Sequence, residues 1–189
     1  FFRTMIFLPC TTSLVAYSII FRSLFANDGL VNYVLVNLGI LDKPYNFLTQ
    51  PFAAKMVIIL ALLWRWTGYN MVFFLSGLQN IEYSVYEAAK IDGASAIQTF
   101  FKITVPLLKP TILLTAIMST NGTLQLFDES INLTDGGPAN ASISMSHYIY
   151  NLCFKYVPNF GYAAAMSFFI LLLVAVLAFI QMRVGDKRD

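Results

Sequence analysis

The chain has 189 residues, of which 58% are hydrophobic and only 12% charged, with a formal net charge of +2. A water-soluble domain keeps about a quarter of its residues charged because its surface faces water, so this composition excludes one. The small net charge and the lack of any Lys/Arg cluster also exclude a surface that tracks nucleic-acid phosphates. The apolar residues come in blocks, and 17 Phe with 10 Tyr suit a lipid-facing surface with interfacial aromatics. The fold class is therefore all-α integral membrane, with residues 1–189 read as a single transmembrane domain in a lipid bilayer.

Four blocks reach the roughly 20 mostly apolar residues that a membrane-spanning helix needs. The first covers about 4–22, between Arg3 and Arg22, with Pro9 near its start. Membrane helices tolerate such a proline when neighbours satisfy the freed carbonyl. Residues 23–55 follow, with turn signals at Asn27-Asp28-Gly29 and Lys43-Pro44 around a short apolar patch at 34–41. That patch is too short to span and is placed at the interface. The second span covers about 56–80 and is interrupted by Arg65 between Trp64 and Trp66. Residues 81–109 read as two short helices outside the membrane. The third span covers about 110–127. Residues 128–159 hold a tight turn at 134–138 and a mixed aromatic segment, and the fourth span covers about 160–182.

Four spans put the N-terminus, the 81–109 segment and the C-terminus on one side. That side holds Arg3, Lys90, Lys102, Lys109, Arg183, Lys187 and Arg188, against Arg22, Lys43, Lys55 and Lys155 on the other. The positive-inside rule makes the first side cytoplasmic, so both ends of the chain are expected there.

The 81–109 segment carries the most specific local signals. Ser84 followed by Glu87 has capping-box spacing, in which each side chain satisfies an orphan amide at a helix start. Gly93 suits the left-handed residue that closes a helix. Ser95 with Gln98 repeats the capping box and opens a second short helix, expected to stop before Pro106 because a proline disfavours helical geometry at the residue ahead of it. Helix, glycine hinge, helix and stop, outside the membrane, describe a unit built to dock onto something.

Glu87-Ala88-Ala89, then Gly93, Ile103 and Pro106, resembles the Glu-Ala-Ala loop of ATP-binding-cassette importer permeases, and the wider string 86–110 resembles their carbohydrate-uptake branch, the maltose, lactose and glycerol-3-phosphate type. Further likeness lies in Phe7-Leu8-Pro9, Ser76-Gly77-Leu78-Gln79, Gln125-Leu126-Phe127-Asp128, the stretch 133–138, Tyr148-Ile149-Tyr150 and the stretch 160–165. Val105 departs conservatively from the family's usual Leu.

The resemblance implies a bacterial or archaeal inner-membrane, multi-pass subunit with two further spans before Phe1, so the chain is expected to be N-terminally truncated relative to a six-span permease core. It implies a cytoplasmic coupling loop whose Glu87, Ala88, Ala89, Asp92, Gly93, Ile103 and Pro106 dock to an ATPase subunit. The other implied partners are a second permease subunit and an extracytoplasmic solute-binding protein. No cofactor is expected in this chain, because ATP-Mg would be bound by the partner ATPase; the chain has no glycine-rich Walker loop with Lys-Ser/Thr and is not expected to be an enzyme. The implied function is the permease half of an ATP-driven, binding-protein-dependent sugar importer.

Polar residues inside spans point to a solute path. Ser119 and Thr123 share one face of the third span, and Asn121 and Gln125 form a second stripe with Asp128. Tyr69 and Asn70 on the second span offer an aromatic face and an amide to a neutral sugar. The plainer reading is hydrogen bonding between helices packed closely at small residues such as Gly122 and 161–165. Arg65 is costly at mid-bilayer, about 2.5–3.5 kcal/mol. It either reaches an interface or water-filled cavity or pairs inside the bundle. His147 is a lone histidine and reads as structural rather than metal-binding; Cys10 and Cys153 read as packing residues with no pairing signal. Three glycosylation sequons, at Asn121, Asn132 and Asn140, read as coincidence. The alternative function, an ion-coupled secondary transporter or channel subunit, calls for buried ionisable groups, and Arg65 is the one the spans show.

Overall fold

The computed structural model describes residues 2–185, with side chains from residue 5 onward. Lys187 and Arg188, and the side chain of Arg3, all used in the charge count, lie outside the described residues. Every regular element among the described residues is helical: α1 (Phe2–Thr11), α2 (Leu14–Leu24), α3 (Leu30–Asn37), α4 (Pro51–Gln79), α5 (Tyr83–Ile91), α6 (Ala96–Thr99), α7 (Val105–Leu107), α8 (Lys109–Leu124), α9 (Asp128–Thr134), α10 (Met145–Tyr150) and α11 (Phe160–Gly185). Two wider, π-type turns, Phe100–Thr104 and Asn151–Lys155, are inserted after α6 and α10.

Helices α4 and α11, at 29 and 26 residues, are long and apolar enough to cross a membrane as single rods. At 1.5 Å per residue α4 is about 43 Å long, more than the roughly 30 Å of hydrocarbon. Pro51 occupies the first turn, where its missing N–H costs nothing.

The first expected span is two helices. α1 and α2 meet at 117° across residues 12–13. Pro9 removes a backbone donor from α1, and the hydroxyls that follow complete the break: Thr11 Oγ1 donates to the Leu8 carbonyl and Thr12 Oγ1 to the Pro9 carbonyl, each at 2.8 Å. The third span is likewise entered through a bend of 65°, between 96–107 and α8.

The interior lies between α2, α4 and α9, where Tyr17, Val57, Ile58, Ala61 and Leu133 are buried together. α1 lies so close on α4 that a Cβ at Gly68 would run into the Ile6 carbonyl. Between α2 and α4, buried Asn32 of α3 ties the connecting chain together. Its Nδ2 donates to the carbonyls of Ala26 (3.0 Å) and Tyr45 (2.9 Å), and its Oδ1 accepts from the Tyr45 amide (2.8 Å). A buried Asn with its amide satisfied at both ends is a staple, not a defect. Cys10 and Cys153 are both free thiols.

Candidate functional site

The segment between α4 and α8 folds into a hairpin whose turn is fixed by backbone chemistry. Gly93 sits at φ +74°, and the chain closes α5 with a pair of bonds from the Ala94 amide to the Ala89 carbonyl (3.0 Å) and from the Gly93 amide to the Lys90 carbonyl (3.2 Å). This is the double closure that favours glycine at a helix C-terminus. Beyond it the Ser95–Gln98 capping box is complete in both directions, with Ser95 N–H donating to Gln98 Oε1 at 2.9 Å and Gln98 N–H to Ser95 Oγ at 3.3 Å.

The box expected at Ser84 does not form. Glu82 takes the position ahead of α5, which leaves Ser84 inside the first turn, donating to the Glu82 carboxylate at 3.2 Å. Nor does the second helix stop before Pro106. The π-type turn at Phe100–Thr104 lengthens the hydrogen-bonded ring, so that Val105 N–H reaches back to the Phe100 carbonyl and the helical path runs through Pro106 to Leu107. The break falls instead at Leu108, just ahead of Pro110 in the first turn of α8.

The structure sorts the predicted docking residues. Glu87, Ala88, Asp92, Gly93 and Pro106 are exposed and Ile103 is half-buried, whereas Ala89 is turned inward at 5% exposure. The tip carries exposed apolar side chains beside the acidic ones: Ile91 is 86% and Ile97 72% exposed.

The second constellation lies beside the middle of α4. A cavity of about 350 Å³ opens between α1, α2, α4 and the α8–α9 junction. On its wall, α4 places Arg65, Trp66 and Tyr69, and the α8–α9 junction places Gln125, Asp128 and Glu129. Glu129 is only 5% exposed. Its Oε1 accepts from the Tyr17 hydroxyl and lies 3.9 Å from the Arg65 guanidinium, whose central carbon stands 5.4 Å from the centre of the Tyr17 ring. Arg65 thus does both things the sequence left open: it borders a cavity and it pairs inside the bundle. Trp66 and Tyr69 stand edge-to-face at 5.5 Å between centroids, and Gly122 makes room for the Trp66 ring, which any Cβ there would strike.

Of the predicted path residues, Tyr69 and Gln125 reach this wall. Asn70 Nδ2 instead donates to Ser119 Oγ (3.4 Å), joining α4 to α8. Asn121 Oδ1 accepts from Gln125 Nε2 (2.7 Å), and the Thr123 hydroxyl turns back onto the Ser119 carbonyl (2.8 Å). Asp128 does not extend the Asn121–Gln125 stripe, because α8 ends at Leu124 and Asp128 opens α9. Sequence reasoning missed Glu129, Tyr17 and Trp66. The signal was Arg65 itself: a cation within a span asks for a counter-charge, and Asp128 and Glu129 are the two carboxylates just past the third span.

A third cluster surrounds His147, which is fully buried beside Ser130. Ser130 Oγ donates to the Ser142 carbonyl at 2.8 Å and lies 2.9 Å from His147 Nδ1. With its one proton committed, the hydroxyl accepts from Nδ1–H. Nε2 faces Asp135 Oδ1 at 3.8 Å, and Lys155 pairs with the same carboxylate at 3.0 Å. Burial pushes the His147 pKa below 6.5, against the Asp135 carboxylate, which raises it. Ser, His and Asp occur together here, but Ser130 and His147 are sealed from solvent, so no substrate reaches them and the cluster is structural.

Comparison with known proteins follows the same lines. Residues 1–188 match the family described as the binding-protein-dependent transport system inner membrane component. The chain is 57% identical over 189 residues to the lactose transport system permease protein LacF of Rhizobium radiobacter, a match covering 99% of this chain and 63% of that protein. It is 35% identical over 187 residues to the multiple sugar-binding transport system permease protein MsmF of Streptococcus mutans, covering 99% and 63%. Among solved structures it superimposes on a chain of a bacterial ABC transporter involved in the import of the acidic polysaccharide alginate, with a TM-score of 0.86 and 25% identity over 97% of this chain and 64% of that one. The chain spans about three fifths of the length of the curated relatives it matches.

Proposed function

The chain belongs to the family of binding-protein-dependent transport system inner membrane components, and from that premise we propose that it is a permease subunit of an ATP-driven, binding-protein-dependent sugar importer. It forms half of the translocation path, with ATP hydrolysis confined to a separate ATPase subunit. Its other partners are a second permease subunit and an extracytoplasmic solute-binding protein. The α5–α6 hairpin is cytoplasmic, as are both ends of the chain.

The observation that carries this reading is the hairpin. It stands off the end of α4, is closed by a complete backbone motif at Gly93 and a complete capping box at Ser95, and exposes Ile91 and Ile97 beside Glu87 and Asp92. Exposed apolar side chains on a rigid, well-capped unit mark a surface that a partner covers. Ala88, small and exposed at its centre, permits close approach. The relatives are named for lactose and multiple-sugar transport, which supports a saccharide as cargo.

The test is cross-linking in membranes. Ala88→Cys in the full-length protein should form a disulfide with a cysteine in the cleft of the ATPase subunit, and this bond should form less readily when nucleotide is withdrawn. No cross-link at Ala88, with equal or greater reaction at a cysteine placed in α11, would overturn the docking assignment.

A further inference from the structure

The root of the hairpin, where the chain leaves α6 and enters α8, has a chemistry opposite to that of its tip. The tip, 82–92, carries three carboxylates, Glu82, Glu87 and Asp92, against Lys90. From Gly93 to Phe127 there is no carboxylate, and the only charged residues are Lys102 and Lys109. The root also exposes apolar surface: Phe100 is 51%, Phe101 65% and Leu107 49% exposed. The two phenyl rings meet edge-to-face with centroids 5.0 Å apart, making one aromatic wedge, and the exposed Lys102 follows directly. The opposite side of this stretch is anchored in the protein. Thr104 is buried, and its hydroxyl lies 3.3 Å from that of Tyr86 on α5.

Geometry sets the depth at which this wedge lies. α8 has 16 residues and is about 24 Å long. That falls short of the roughly 30 Å of hydrocarbon, so the residues flanking α8 complete the crossing. The helical path 96–107 enters α8 at 65°. From Phe100 to Leu107 the chain advances about 10 Å along that path, but with α8 upright only about 4 Å of it is depth. The headgroup layer is roughly 5–7 Å thick on each side of the hydrocarbon. Phe100, Phe101 and Lys102 therefore lie within that layer, close to the membrane plane. A helical segment there is held by apolar rings pressed towards the acyl chains and by cations among the phosphates.

Charge decides what covers the wedge. An anionic leaflet repels the acidic tip and attracts the root, whose charges are all positive. We propose that Phe100, Phe101 and Lys102 form a binding surface for an anionic phospholipid of the cytoplasmic leaflet, with its phosphate on Lys102 and its upper acyl carbons against the two rings. The bound lipid holds the root in the membrane plane and leaves the acidic tip facing away from the bilayer, free for the ATPase. The inference rests on the reading above for the side of the membrane on which the hairpin lies, and goes beyond it by giving the hairpin a second partner.

Photocrosslinking tests it in the full-length protein, assembled with its ATPase and second permease in nanodiscs of equal parts phosphatidylglycerol and phosphatidylcholine. Phe101→p-benzoylphenylalanine should yield phospholipid adducts, read by mass spectrometry. Phosphatidylglycerol should be favoured about fivefold, the factor that one lysine near an anionic surface supplies. Adding Lys102→Gln should bring that ratio close to one while adducts of both lipids persist, and Lys102→Arg should keep the preference. Raising the salt concentration should lower it wherever Lys102 is present. Both positions are exposed, and an unchanged thermal unfolding midpoint shows that each variant is folded. Adducts at position 101 that are ATPase or permease peptides instead of lipid overturn the proposal. So does a ratio near one with Lys102 in place, or a preference that Lys102→Gln leaves unchanged. The same photoreactive residue in place of Ile91, on the tip, reports the docking reading separately and should capture the ATPase. If it captures none while position 101 still captures phosphatidylglycerol by preference, the docking reading falls and the lipid contact stands.

Discussion

Gly93 offers the most quantitative handle on the hairpin. Its φ of +74° lies in the left-handed region, which costs an L-residue roughly 1–2 kcal/mol. A Cβ built there meets nothing within 4 Å, so in the free chain the whole cost of Gly93→Ala is backbone strain and none is collision. Relaxing that strain means giving up the closure that delivers the Ala94 and Gly93 amides to the carbonyls of Ala89 and Lys90. If the ATPase accepts the hairpin only in its closed form, docking affinity should fall by the corresponding factor, about 5–30-fold. Asn tolerates the left-handed region far better than other side chains, so the order should be Gly close to Asn, then Ala, then Val. The assay is binding of the purified ATPase to full-length protein in nanodiscs, with thermal unfolding of each variant as a control for the spans. Asn binding as poorly as Val would show that side-chain bulk, not backbone geometry, is at issue. Wild-type binding by Val would refute the reasoning altogether.

Three further outcomes follow from local structure. Ser95→Ala removes the acceptor for the Gln98 amide and should cost about 1 kcal/mol of local stability, seen as faster hydrogen exchange at Gln98 and Thr99. Gly68→Ala puts a methyl group against the Ile6 carbonyl; backbone cannot swing aside, so α1 must lift from α4, and thermal unfolding in detergent should show a loss of roughly 1–3 kcal/mol. His147 is buried with its pKa held below 6.5 by that burial. An unfolded histidine takes up a proton at a higher pH than the buried one, so the stability gained from keeping His147 neutral is complete above about pH 6.5 and declines as the pH drops below it. His147→Gln should be less stable at neutral pH but should show a flatter dependence between about pH 5 and 7.

Much of this architecture was legible because strong signals were local. The α4 and α11 rods follow from long apolar runs, 56–80 against Pro51–Gln79 and 160–182 against Phe160–Gly185. Gly93 and the Ser95–Gln98 box are short-range chemistry that the fold has no reason to override. Where two local solutions compete, spacing alone cannot choose. Ser84 and Glu87 have capping-box spacing, but Glu82 starts the helix two residues earlier and strands the serine inside it. Pro106 looks like a stop until a π-type turn absorbs it, and a single extra residue in a turn leaves no trace in hydrophobic periodicity. The cavity was the least legible part. Its aromatic and amide residues, Tyr69 and Gln125, lay within apolar blocks where a polar group stands out. Its charged centre joins residues 17, 65 and 129, and Glu129 stood just beyond the expected end of the third span at 127, where a carboxylate reads as a group passing into water. The chain in fact turns back there as α9 and carries that carboxylate into the bundle.

The central claim is that this chain handles a sugar while a separate ATPase supplies the energy. It is tested most directly by uptake of radiolabelled lactose, maltose and trehalose into proteoliposomes holding the full-length protein with its ATPase and second permease, ATP enclosed and binding protein outside. The account predicts uptake of at least one of these sugars that stops when ATP is replaced by a non-hydrolysable analogue and continues when ion gradients are collapsed. Uptake that persists without ATP hydrolysis and disappears with the ion gradient would contradict it.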